Sequence, residues 1–185
     1  MSLVSLGGLE ELLPAIDTQA DPDSVFAALR PPFEQFLNDF RPEIPEGKQS
    51  ARRSPYARYL LSAPDLPIQV VLAVWEPGTA SAIHDHQGLH GAVGLLRGRL
   101  SESKYALTSV GESYRVAQRL DAQMIAGKAS AIHPWGLHQV HRMANHGSTT
   151  AMSIHVYLGR LERVNLYHPR PDGTLATEPR NLWFD

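Results

Sequence analysis

The spacing of apolar positions changes once along this chain, and the change divides it. Residues 3–13 and 21–40 carry apolar side chains at helical spacing, and Phe26, Leu29, Phe33, Phe36, Leu37 and Phe40 fall on one face. Asp21-Pro22-Asp23-Ser24 marks the start of the second helix, with Asp21 as N-cap and Pro22 at the first helical position. Pro31-Pro32 lies inside that stretch and predicts a break, kink or restart near Arg30. Residues 41–54 are polar, with Pro and Gly, and read as a connection.

Beyond residue 55 the spacing shortens to that of strands. Residues 56–61 read as a strand, and 68–75 are an almost unbroken apolar run, the mark of a strand buried on both faces. A strand around His84 and another around Leu95 follow, then short strands at 101–107, 113–120, 129–133, 138–143 and 150–158. Gly98, Gly111, Gly127, Pro134-Trp135-Gly136 and Asn145-His146-Gly147 separate them as turns. Many short strands at this spacing predict an all-β sandwich or barrel with the N-terminal helices packed on it. Residues 167–185 look irregular and are expected to wrap the barrel. The layout expected is one domain: a helical cap over 1–45, a barrel over 55–160 and a C-terminal wrap over 161–185.

Composition narrows the chemistry more than the fold. At 185 residues and 43% hydrophobic, the chain has enough apolar mass for one packed core. A net charge of −2 argues against nucleic acid or an anionic membrane surface as partner. No apolar run approaches the ~20 residues of a spanning helix. The first residues lack a basic stretch and carry Glu10 and Glu11, unlike a secretory signal, so a cytoplasmic location is expected. Oligomeric state is not legible. There is no cysteine, so a metal would have to be held by imidazole or oxygen. Histidine is the outlier: there are nine, and eight lie between His84 and His155.

His84 and His86 are two residues apart, so on a strand both imidazoles point to one face and can reach one metal ion. Asp85 between them should point the other way. A third ligand must come from His133, His138, His141 or His146. Imidazole suits zinc, copper, iron and nickel alike, so the donors do not choose the metal, and a three-histidine zinc site is an alternative. In Ser153-Ile154-His155-Val156-Tyr157 the polar residues share one face and the apolar ones the other. The polar face either meets water or lines a cavity as a hydrogen-bonded row. Arg58, two residues after Tyr56, is a surface arginine or, on a cavity wall, a carboxylate clamp.

These residues resemble a known family. Gly78-x5-His84-x-His86 followed by Gly98 looks like the first motif of the cupins, small β-barrels, here of double-sheet jelly-roll type, with a metal inside. Most cupins place a Glu ligand shortly after the His pair, whereas this chain reads Gln87-Gly88-Leu89-His90-Gly91. That loss, with the runs IHDH and SIHVY, resembles the thiol dioxygenases of the cysteine dioxygenase family. The resemblance covers roughly residues 55–160. It implies His84, His86 and His141 as Fe(II) ligands, because His141-x3-Asn145 is similar to the second cupin motif, with His138 the alternate. It implies Ser153, His155 and Tyr157 as the row beside the iron and Tyr56-Ala57-Arg58 as the segment whose Arg holds a substrate carboxylate. The implied reaction adds both atoms of dioxygen to a thiol, L-cysteine to cysteine sulfinate. The alternatives are 3-mercaptopropionate as substrate, or a metal-binding cupin without catalysis. Animal members cross-link a Cys to the Tyr; here Gly91 matches that position and no cross-link can form. Leu158-Gly159 after the Tyr is closer to the mercaptopropionate group.

Overall fold

A computed structural model describes residues 6, 8–42, 56–182 and 184. Residues 43–54 of the polar connection, and residues 3–5 and 7 of the first helical stretch, lie outside the described residues.

The N-terminal part contains α1 (Leu9–Leu12), continued by a 3-10 turn at Leu13–Ala15, and α2 (Pro22–Asp39). Asp21 caps α2, its carboxylate accepting the Ser24 N–H at 3.0 Å and so satisfying one of the free donors of the first turn. Val25, Leu29, Phe33, Phe36 and Leu37 form the buried stripe. The expected break at Pro31-Pro32 does not occur: α2 runs through both prolines. Each proline removes one N–H···O bond, leaving the carbonyls of Ala27 and Ala28 without their helical donors. Ala27 and Ala28 are exposed, so water can satisfy those carbonyls, while the buried stripe holds both halves on the sheet.

Two β layers follow. The first is an antiparallel sheet of β1 (Ala57–Leu60), β2 (Gln69–Trp75), β9 (Ala151–Tyr157), β4 (Gly91–Arg97) and β7 (Ala129–Ile132), in that order. The second is a closed ring of β10 (Arg163–Pro169), β11 (Leu175–Asn181), β6 (Ser113–Gln123), β5 (Ser101–Val110), β8 (Val140–Ala144) and β3 (Ile83–His84). The tail expected to be irregular is therefore a hairpin, β10 with β11. It closes the ring because β10 pairs with β3. Of its strand residues only Val164, Tyr167 and Leu175 are buried, so the hairpin is half exposed.

The period of two assigns side chains to layers. Val70, Leu72 and Val74 of β2, with Met152, Ile154 and Val156 of β9, pack against the α2 stripe. Val71, Ala73 and Trp75, with Val93 and Leu95, face inward and meet Met143 of β8 and Val164 of β10. The sheet is thus buried on both faces, by the helix outside and the ring inside, as the unbroken apolar run of β2 anticipates. No helix among the described residues is long and apolar enough to cross a membrane.

Candidate metal centre and its cavity

His84 sits on the short strand β3, directly opposite His141 on β8. His86 lies two residues on, where Gln87 and Gly88 both take positive φ and turn the chain back. The three rings converge, with centroids 4.7–5.1 Å apart, and one ring nitrogen from each lies within 4.8 Å of the others. Each Nδ1 is already engaged. That of His84 donates to the Ala82 carbonyl at 3.1 Å, that of His86 to the Gln139 carbonyl at 3.0 Å, and that of His141 to Glu102 Oε1 at 2.6 Å. Carbonyl and carboxylate oxygens only accept, so the proton is on Nδ1 and Nε2 is left with its lone pair. The Nε2 atoms of His86 and His141 are buried with no hydrogen-bond partner among the described residues.

A buried acceptor left alone costs about 1–3 kcal/mol. Lone pairs aimed at one point meet that cost together, and a cation at that point satisfies all of them. Burial, then the neighbouring imidazoles, holds His86 and His141 well below the ordinary histidine range, and burial lowers His84 as well. They are neutral at pH 7, the form that ligates. The donor set therefore fits a metal ion.

Asp85 points away from this cluster. Its carboxylate accepts from the Asn165 N–H at 2.9 Å, from Asn165 Nδ2 at 2.7 Å and from the Tyr167 hydroxyl at 3.1 Å, fastening the His-x-His segment to β10. His138, the alternate third residue, lies in the 3-10 turn Gly136–His138, where its Nδ1 accepts from Lys104 Nζ at 2.6 Å. Burial, then the Lys104 charge, lowers it to about 4. The cluster takes in His141 and leaves His138 out.

The whole of β9 is buried, so its polar face meets a cavity and not bulk water. Trp75 Nε1 donates to Ser153 Oγ at 2.9 Å, Ser153 Oγ lies 2.9 Å from His155 Nε2, and His155 Nδ1 lies 3.4 Å from the Tyr157 hydroxyl. An indole N–H can only donate, which fixes the direction of the Trp75–Ser153 bond. In the His155 tautomer protonated on Nδ1, Ser153 gives its own proton to His155 Nε2 and the Nδ1–H faces Tyr157. In that tautomer the Tyr157 O–H is left to point into the cavity. Burial lowers His155 to about 3 and raises Tyr157, so both stay neutral.

That cavity, of about 170 Å³, is lined by His84, His155, Tyr157, Arg58 and Tyr56 among others. Tyr56 stacks on Trp75 with ring centroids 3.8 Å apart, and the Arg58 guanidinium stands 5.7 Å from the Tyr56 ring centroid. Five contributors are not evident in the sequence. Glu102, 2% exposed, supports His141 across the β5–β8 pair. Its only signal is that Glu102 and Lys104 are two apart on a strand and share a face. Trp75 ends an apolar run and reads as core. Arg180, Leu182 and Phe184 also line the cavity, from the tail.

The family model described as Cysteine dioxygenase type I matches residues 51–170. This chain belongs to that family. The matched span of the cysteine dioxygenase type I family holds the three imidazoles, Arg58 and the Ser153-His155-Tyr157 row, and stops short of β11. Family and imidazole cluster together mark a cupin-type barrel with a group of residues that could hold a metal ion. Among solved structures, an oxalate oxidase matches with a TM-score of 0.50 at 16% identity, over 68% of this chain and 61% of that one. A protein of Thermus thermophilus, TT1209, matches with a TM-score of 0.43 at 21% identity, over 64% and 99%. The oxalate decarboxylase of Lactobacillus farciminis matches with 0.45 at 14%, over 66% and 32%. The chain spans about three fifths of the oxalate oxidases it matches. The likeness is one of fold, a cupin-type barrel.

Proposed function

We propose that this protein is an Fe(II)-dependent dioxygenase that converts L-cysteine and dioxygen to cysteine sulfinate. The observation that carries this reading is that Arg58 and Tyr157 line the same cavity as His84 of the three-imidazole cluster. His84, His86 and His141 would hold the iron through Nε2. Iron, when bound, supplies the redox chemistry that joins dioxygen to sulfur and lowers the pKa of the thiol. The balance closes without a reductant, since R–SH plus O₂ gives R–SO₂H and the sulfur provides the electrons.

The side chains do the rest. Arg58 grips the substrate carboxylate through two N–H groups and fixes the thiol end toward the imidazoles. Tyr157 donates its hydrogen bond to the reacting groups, with His155 and Ser153 holding it. Val71, Leu161, Val164 and Leu166 line the cavity with apolar surface that keeps water out.

A second reading, a mercaptocarboxylate without an amine such as 3-mercaptopropionate, is favoured by one feature. Arg58 and Arg180 line the cavity, and no acidic side chain does so among the described residues. A substrate ammonium would find no counter-ion there and must shed its proton to bind.

The test is dioxygen uptake by anaerobically Fe(II)-loaded protein, with L-cysteine and 3-mercaptopropionate in parallel and sulfinate quantified. Faster coupled turnover of cysteine is expected. The reverse preference would transfer the proposal to the amine-free thiol, and no uptake of either by iron-bearing protein would leave a binding cupin.

A further inference from the structure

We infer that Glu102 is the positioning residue of the metal centre: it holds His141 in the tautomer that presents Nε2, and Lys104 moderates its pull. The inference rests on the reading of the three imidazoles as metal ligands.

The three supports are unequal. His84 and His86 give their Nδ1 protons to neutral backbone carbonyls, at 3.1 and 3.0 Å. His141 alone gives its proton to a carboxylate, at 2.6 Å. Charge-assisted bonds are shorter and roughly twice as strong as neutral ones. An imidazole held by a carboxylate is also a stronger donor to metal through its other nitrogen. The carboxylate is itself fixed: Oε2 accepts from Ser130 Oγ at 2.5 Å, and Ser130 belongs to β7 of the other layer. Glu102 therefore ties the ring strand that carries His141 to the five-stranded sheet.

Lys104 is the counterweight. It follows Glu102 by two on β5, so both side chains take the same face, and its register partner is His141. Nζ lies 3.8 Å from Glu102 Oε2 and donates to the Ala131 carbonyl at 3.0 Å and to His138 Nδ1 at 2.6 Å. Two of the ammonium's three protons have acceptors within hydrogen-bond distance, and the Glu102 carboxylate is met as an ion pair. His138, which lies outside the cluster, is thereby given a place: it is a neutral acceptor that holds Lys104 against the carboxylate. A buried ion pair is poor support for stability, because well-packed apolar side chains of like volume do as well or better. Adjustment of the neighbouring ligand is a reason for this one to be where it is.

The experiment compares wild type with Glu102→Gln, Lys104→Met and Ser130→Ala. Co(II) and Fe(II) affinity is measured by chelator competition, and with it the Co(II) absorption spectrum, the iron midpoint potential and thermal unfolding of the metal-free forms. Glu102→Gln should weaken metal binding by about 10- to 100-fold and raise the midpoint potential, since a weaker donor favours Fe(II). Lys104→Met should move the potential the opposite way. Ser130→Ala loosens the same carboxylate and should lower affinity less, with a shifted Co(II) spectrum; it carries the test if Glu102→Gln does not fold. Wild-type affinity, potential and spectrum in Glu102→Gln, or in Ser130→Ala if that variant stands in, would overturn the inference. Parallel shifts in the Gln and Met variants would remove Lys104 from it. Failure of wild-type protein to bind either metal would instead defeat the reading of the imidazoles as ligands.

Discussion

Tyr157 presents a hydroxyl whose hydrogen is aimed by a row that begins at Trp75. Tyr157→Phe removes that donor and leaves the three imidazoles untouched. Metal affinity should stay at the wild-type value while turnover falls on the order of 10²–10⁴-fold, the range for a positioned proton donor; single-turnover kinetics on iron-loaded protein would check it. Arg58→Ala should raise the KM for a thiol bearing a carboxylate by roughly 10- to 100-fold, from about 1.5–3 kcal/mol for a charged hydrogen bond. It should leave KM for a thiol lacking a carboxylate near its starting value; equal losses on both would make Arg58 a wall residue. At this scale the sequence was legible where chemistry imposes spacing. Ser153, His155 and Tyr157 fall in phase on β9, and His84 and His86 converge at a spacing of two although only His84 lies on a strand. Glu102 and Trp75 were not, because each acts through a partner tens of residues away that only the strand register brings near.

Among the elements, β4 and β9 run so close at Gly91 that an added Cβ would overlap the Val156 carbonyl oxygen, beside Tyr157 in the register. Gly91→Ala should therefore cost about 1–3 kcal/mol, the usual range for forcing extra volume into a packed site. A lowered denaturant midpoint with unchanged slope would show it, and turnover per folded molecule should fall too as Tyr157 shifts. The strands of the sheet were readable because burial on both faces leaves unbroken apolar runs, as in β2. The last hairpin was missed because its strands mix polar and apolar positions without an apolar run and carry Pro169 and Pro179. The helix α2 shows the opposite error. Pro31-Pro32 is a strong local signal, and it is outvoted by the helix's five buried side chains, four of which share a core with the sheet.

For the whole molecule, the same burial that prepares the imidazoles makes the metal-free protein sensitive to acid. An unfolded histidine titrates near 6.5. In the folded chain His138 is lowered to about 4 and His155 to about 3, and His86 and His141 also lie well below 6.5. Above 6.5 both states are neutral and these groups contribute no pH dependence. Below it the unfolded chain binds the extra protons, so stability falls as pH drops from 6.5 toward 4 and 3. Urea midpoints of metal-free protein at pH 7 and pH 5 should differ in that direction, and added Co(II) should raise the pH 7 midpoint. Equal midpoints would mean that the imidazoles are not held neutral in the fold.

Ring closure also sets an order in time. His84 lies on a two-residue strand that owes one edge to β8 and the other to β10, so its seat is incomplete until the chain has been made as far as residue 166. All three histidines are synthesised before that point, His84 first. During translation the metal centre is thus assembled last from a residue made first, and an ion arriving early finds an open, unfinished set of ligands. A ribosome-bound chain stopped before β10 and one released after it should differ sharply in metal retention.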